Sequence, residues 1–209
     1  MPREAILEQV RAALRGVTAS VAAPEPYLCV PATDLETRVL QFTAALEALG
    51  GRVLRVANRD EARGVVAGLT NGGATVISEA PFLRACGIPE LPGVRWEFAN
   101  EQDYRASRTE AAFGITSADY ALADTGSLVL LSGHDESRLV SLLPPAHIAV
   151  LPVSRLLSGL DELLLRVPAP ADLTSAMVII TGPSRTADIE QILVRGVHGP
   201  GEITVILVD

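Results

Sequence analysis

Apolar side chains recur along most of this chain with a period of three to four residues, broken by short runs that alternate or are wholly apolar. Ile6, Val10 and Leu14 stand four apart and predict an amphipathic helix over 3–15, stopped at Gly16. From 17 to 32 the pattern dissolves among small residues with Pro24, Pro26 and Pro31, which reads as a linker after an N-terminal helical arm. A second helix starts at a predicted capping box, Thr33 with Glu36, and carries a stripe of Leu35, Val39, Phe42, Leu46 and Leu49 up to Gly50-Gly51. A strand at 52–57, a helix from Asp60 with Val65, Val66 and Leu69 inward, and a strand at 74–78 follow. Val94, Trp96 and Phe98 alternate with Arg95 and Glu97 as in a half-exposed strand.

A helix over 101–112 leads into Phe113–Thr116 and the apolar stretch 120–131, which Asp124-Thr-Gly-Ser127 interrupts as a tight turn or a bulge. The remaining pattern predicts a helix near 135–142, a strand at 147–151, a helix at 154–166, a strand at 176–181, a helix at 186–195 and a last strand at 203–208. Such alternation of strand and helix favours an α/β sandwich with a mostly parallel central sheet, residues 33–209 making one domain behind an appendage of 1–32.

Composition narrows the function. In 209 residues there are 17 basic side chains, every one an arginine, against 25 acidic ones, a net charge of −8. Without lysine a Schiff-base mechanism and a standard P-loop are excluded. The acidic balance argues against a general nucleic-acid binder. No run of 18 apolar residues and no secretory core is present, so the expected location is cytoplasmic, with no membrane span. Cys29 and Cys86 match no metal spacing, and neither a G-x-G-x-x-G fingerprint nor a Cys-x-x-Cys pair occurs. No cofactor and no metal is therefore expected on this chain alone.

Three segments could carry chemistry. In Thr181-Gly-Pro-Ser-Arg-Thr-Ala-Asp188 an apolar strand runs through a turn into a predicted helix, where free amides attract anions. Gly182 and Pro183 make the turn, Ser184 and Thr186 offer hydroxyls, and Arg185 offers a fork of donors; a plain, well-capped helix start explains the same residues. Asp124-Thr125-Gly126-Ser127 places small residues where backbone or ligand approaches closely, though a turn alone accounts for the glycine. His134, His147 and His198 lack the spacing of paired metal ligands. Of these His198, on a loop bounded by Gly196 and Gly199, is the best acid–base candidate, and His147 stands at a strand entrance.

Phe113-Gly-Ile-Thr-Ser-Ala-Asp-Tyr-Ala-Leu-Ala-Asp-Thr-Gly-Ser-Leu-Val-Leu130, Pro145-Ala-His-Ile-Ala-Val150 and 181–190 continuing to Gly196-Val-His-Gly-Pro200 together resemble the LUD domain of lactate utilization proteins, nearest to the short C-type component. The resemblance covers the chain from about residue 33 onward. It implies the α/β sandwich shared with sugar-phosphate isomerases and CoA transferases, and a part in oxidising L-lactate to pyruvate. It also implies A- and B-type partner proteins that carry the iron–sulfur clusters. On this reading the 124–127 turn and the 182–186 loop converge into one pocket for a small carboxylate, with Asp124, Asp188 and His198 as candidate catalytic groups. Two other readings stay open. One is an independent transferase or isomerase using Asp124, Asp188 or Glu110 as a nucleophile on an acyl or phosphorylated substrate. The other is an assembly subunit that docks through helix 3–15; self-association is open as well.

Overall fold

The computed structural model describes residues 3–16, 28–133, 138–167, 174, 176–187 and 193–209. Helix α1 (Arg3–Leu14) forms where the four-residue spacing predicts it, and none of its residues is buried. Helix α2 (Leu35–Ala48) turns Val39, Phe42 and Leu46 inward. Its cap differs from the predicted Thr33–Glu36 box. Asp34 is the cap, its carboxylate accepting from the Thr37 amide at 2.8 Å and the Thr37 hydroxyl at 2.7 Å. With Asp34 as the cap the helix starts one residue later, and its ionised carboxylate binds a free amide of the first turn while complementing the helix dipole, which the neutral Thr33 hydroxyl does less well. Thr33 Oγ1 accepts instead from Arg38 Nε at 3.1 Å, and Glu36 accepts a two-pronged contact from Arg55 at 2.7 and 2.8 Å.

The chain continues through β1 (Arg52–Val56), α3 (Arg59–Thr70), β2 (Thr75–Ile77), α4 (Pro81–Ala85), β3 (Val94–Arg95), α5 (Glu101–Glu110) and β4 (Phe113–Thr116). The alternating run 94–98 yields only the two-residue β3, because Trp96 and Phe98 pack into different apolar clusters and leave the ladder. Strands β5 (Tyr120–Leu122) and β6 (Ser127–Ser132) pair antiparallel, so the interruption at 124–126 is a hairpin turn. After α6 (Arg138–Leu142) and β7 (Ala146–Pro152), the predicted helix 154–166 begins late. A 3₁₀ turn (Val153–Arg155) and β8 (Leu156–Leu157) precede α7 (Leu160–Arg166), since both leucines are buried in pairing with β5.

Strand β9 (Ala176–Ile180) follows, then β10 (Arg185–Ala187), β11 (Leu193–Arg195) and β12 (Glu202–Val208). The helix expected at 186–195 is overturned at both ends: β10 and β11 lie antiparallel, Arg185 opposite Arg195. β-Branched Thr186 and Val194, cross-strand neighbours here, suit a ladder better than a helix. Residues 188–192 between them, and His134, fall outside the described residues.

Six strands form one sheet in the order β1-β12-β7-β4-β2-β3, every pair parallel. Side-chain alternation divides its two faces. Ile148 and Val150 of β7 pack with Ala62 and Val66 of α3 and Leu83 of α4. Ala149 and Leu151 pack with Val39, Phe42 and Leu46 of α2. This is the layered α/β arrangement that the β-α-β pattern predicts. What the pattern does not reveal is a second sheet, β8-β5-β6-β9, on the α2 side. Its Ala121, Leu128 and Leu130 complete the α2 core, while Leu122 and Val129 face Leu163 of α7.

Candidate functional site

The antiparallel pairing of β6 with β9, Leu128 opposite Ile180, brings the two predicted loops together. Ser127 Oγ lies 2.8 Å from Thr181 Oγ1 and donates to Thr125 Oγ1 at 2.8 Å, and Thr125 donates to Asp124 Oδ1 at 3.2 Å. Each hydroxyl passes one proton onward, so the chain of donors ends on the Asp124 carboxylate. The space beside it is taken by the end of α2. Gly126, at φ +66°, lies so close that a Cβ there would stand 2.5 Å from Leu46 N and 2.9 Å from Ala45 C. Gly182, at φ +81°, would set a Cβ 2.9 Å from that of Leu49. Arg185 donates through Nη2 to the Leu49 carbonyl. Gly126→Ala should therefore cost about 2 kcal/mol, from backbone strain and overpacking together, read as a lower urea midpoint at unchanged slope.

The other predicted residues are dispersed. Pro183 is buried, and Ser184 exchanges backbone bonds with the following loop: its N–H donates to Pro200 O at 2.8 Å, and its carbonyl accepts from Gly196 at 3.0 Å. His198 is exposed on that loop, Thr186 lies on β10, and Glu110 is exposed at the end of α5. Asp188 falls outside the described residues. His147 is only 1% exposed, with Nε2 2.9 Å from Thr116 Oγ1 and Nδ1 without a partner among the described residues. Burial pushes its imidazole down to about 4, so it is neutral near pH 7. With no helix start after Pro183 and with Arg185 spent on α2, the loops present few unused donors.

A different cluster stands at the carboxyl ends of the parallel strands, where ligands of open α/β sheets bind. Here the neighbours β4 and β7 leave the main sheet and re-pair as β5 and β8 of the second. The two connecting segments, 117–119 and 153–155, have no ladder partners of their own. Arg155 bridges them, donating through Nη1 to Ala118 O at 2.9 Å and Ser117 Oγ at 3.2 Å. Its guanidinium also lies 5.9 Å from the centre of the Phe82 ring, and Arg59 approaches the same ring at 5.7 Å. Neither arginine has an ion pair within contact distance among the described residues. Ser78, just past β2, buries a hydroxyl that has no partner among the described residues. Asp119 accepts from the Leu131 amide at 2.7 Å; burial pushes its carboxyl up, against that bond and the charge of Arg155.

A guanidinium with unused donors, a buried hydroxyl and a carboxyl of raised affinity for protons are groups that can hold a small anion and trade a proton with it. The sequence does contain a signal for this cluster. Ser117 and Asp119 lie inside the 113–130 motif directly after an apolar strand, but Arg155 is hidden by the predicted helix 154–166. Among the described residues no helix is long and apolar enough to cross a membrane, and no three His, Cys, Asp or Glu side chains gather as metal ligands.

A family model described as the LUD domain matches residues 39–208. The chain is 42% identical over 118 residues to lactate utilization protein C of Halalkalibacterium halodurans, a match covering 54% of this chain and 51% of that protein. With lactate utilization protein C of Bacillus subtilis it shares 34% over 153 residues, covering 66% and 64%. The chain thus aligns with between half and two thirds of the length of these relatives. A crystal structure of a DUF162 family protein from Deinococcus radiodurans superposes with a TM-score of 0.65 at 20% identity, covering 85% of this chain and 99% of that one, a likeness of fold.

Proposed function

This chain belongs to the LUD domain family, and from that premise we propose that it is the component of a lactate utilization system that holds a small carboxylate at the carboxyl rim of its parallel sheet. Its relatives are named for lactate utilization. Oxidation of L-lactate to pyruvate would then be shared with A- and B-type partners carrying iron–sulfur clusters in the cytoplasm, this chain contributing the ligand site. The observation that carries the reading is Arg155. Two of its donor nitrogens, Nε and Nη2, make no hydrogen bond among the described residues, while Nη1 is fixed on Ala118 and Ser117. A guanidinium anchored on one side and free on the other is preorganised for a carboxylate, and Ser78 supplies a hydroxyl for a second oxygen.

Calorimetric titration with L-lactate and with pyruvate tests it. Wild-type protein should bind at least one of them, and Arg155→Ala should weaken that binding by about 1–3 kcal/mol, roughly five- to 150-fold, with the circular dichroism spectrum kept. Equal affinity in a folded Arg155→Ala variant would remove the site from the rim.

A further inference from the structure

At the other end of the same sheet lies a cavity of about 380 Å³, bounded by the amino ends of β1, β12, β7 and β4 and by the last turns of α3. That volume falls in the range of roughly 300–1,000 Å³ typical of small-molecule sites. Ala146, His147 and Ile148 at the start of β7 line it, and the strand runs on to Pro152 before the carboxyl rim, about 13 Å beyond Ile148, so its occupant is not the rim ligand. Leu69, Phe113 and Ile148 line it with apolar surface, and Thr204 adds a hydroxyl. Arg52 and Glu202 are the charged residues of its lining. Both are exposed, and neither side chain makes a hydrogen bond or ion pair with any described residue.

Arg52 pairs in register with Thr204, which puts Glu202 one strand across and two residues back, a Cα separation of about 8 Å. The alternation that turns Val56, Ile206 and Val208 into the α3 core puts Arg52, Thr204 and Glu202 on that same face. Opposite charges this close that leave each other unpaired, above an apolar floor, suit a ligand carrying both charges itself. A plain anion would meet Glu202, a plain cation would meet Arg52, and a neutral apolar molecule would leave both without partners.

We propose that this amino-end cavity binds an α-amino acid with an apolar side chain, Arg52 taking its carboxylate, Glu202 its ammonium, and Leu69, Phe113 and Ile148 its side chain. The test is calorimetric titration of the full chain with L-leucine, L-valine and L-phenylalanine at millimolar concentrations. At least one should bind saturably, and Arg52→Ala and Glu202→Ala should each weaken that binding about tenfold or more, as for a lost charge-assisted bond. The amide and the N-acetyl derivative of the same amino acid, each lacking one charge, should bind at least as poorly, and Arg155→Ala should leave the affinity unchanged. Three results would overturn the proposal: no saturable binding of any of the three amino acids, an N-acetyl derivative that binds as tightly as its parent, or affinity indifferent to both cavity variants.

Discussion

Phe42→Ala should cost about 4 kcal/mol of folding stability, within the range for removing a buried phenyl ring. The ring is fully buried in α2 and belongs to a cluster drawn from both sheets: Ala149, Leu151, Val205 and Leu207 on one side, Ala121, Leu128 and Leu130 on the other. Its neighbours there are aliphatic side chains set on strands whose ladders resist collapse into a void, so little of the cavity would close. Since small domains hold only about 5–15 kcal/mol in total, the variant should unfold at far lower denaturant. Fluorescence of the single tryptophan, Trp96, in a urea titration would read the midpoint. Leu40→Ala on the same helix is the control: Leu40 is 70% exposed, and its loss should stay within about 0.5 kcal/mol. Equal costs for the two would mean that α2 is not the layer that joins the sheets.

Phe42 was legible from the chain because Val39, Phe42 and Leu46 repeat at helical spacing between clear boundaries. The parallel sheet was legible for a related reason, as β-branched and aliphatic runs alternate with amphipathic ones. Pairing partners are a different matter. Nothing local distinguishes β9, which joins the second sheet, from β12, which lies in the centre of the first; both are short apolar runs, and only tertiary packing separates them. Competition between local signals explains the corrected elements. Leu156 and Leu157 fit a helical stripe, yet gain more by pairing with β5 than by starting α7. Thr33 and Glu36 fit a capping box, but Asp34 is the stronger acceptor and Arg55 claims Glu36. Of the site, the sequence shows the residues of each loop but not their distances: the 124–127 and 181–185 segments do meet, and only the fold reveals that α2 closes over them. The rim cluster draws Ser78, Ser117, Asp119 and Arg155 from three connections, and no single window of sequence contains that coincidence.

Acidification from pH 7 toward pH 4 should uncover the second large effect, at His147. The fold holds this imidazole at about 4, whereas an unfolded chain titrates it near 6.5. Between those values the unfolded chain binds a proton that the folded one refuses, so unfolding takes up a proton and stability falls as pH falls. The full difference is about 3 kcal/mol, complete once the pH drops below both values. The cause is geometric: a ring 1% exposed, one nitrogen against Thr116 and the other facing no acceptor, gives an added proton nothing to bond to. Carboxylates held low by their partners, among them Asp103, which accepts from the Ala99 amide and from Arg95, act in a lower window, since their contribution is lost only below an unfolded value of about 4. Asp119 works in the opposite direction, because burial raises its carboxyl and the folded state then takes up its proton more readily. The histidine is therefore isolated by difference: urea midpoints of wild type and His147→Gln at pH 7, 6, 5 and 4.5 should converge as the pH falls, the variant lacking the loss in this window. A ring resonance of His147 that titrates near 6.5 in the folded protein would show instead that water reaches the ring.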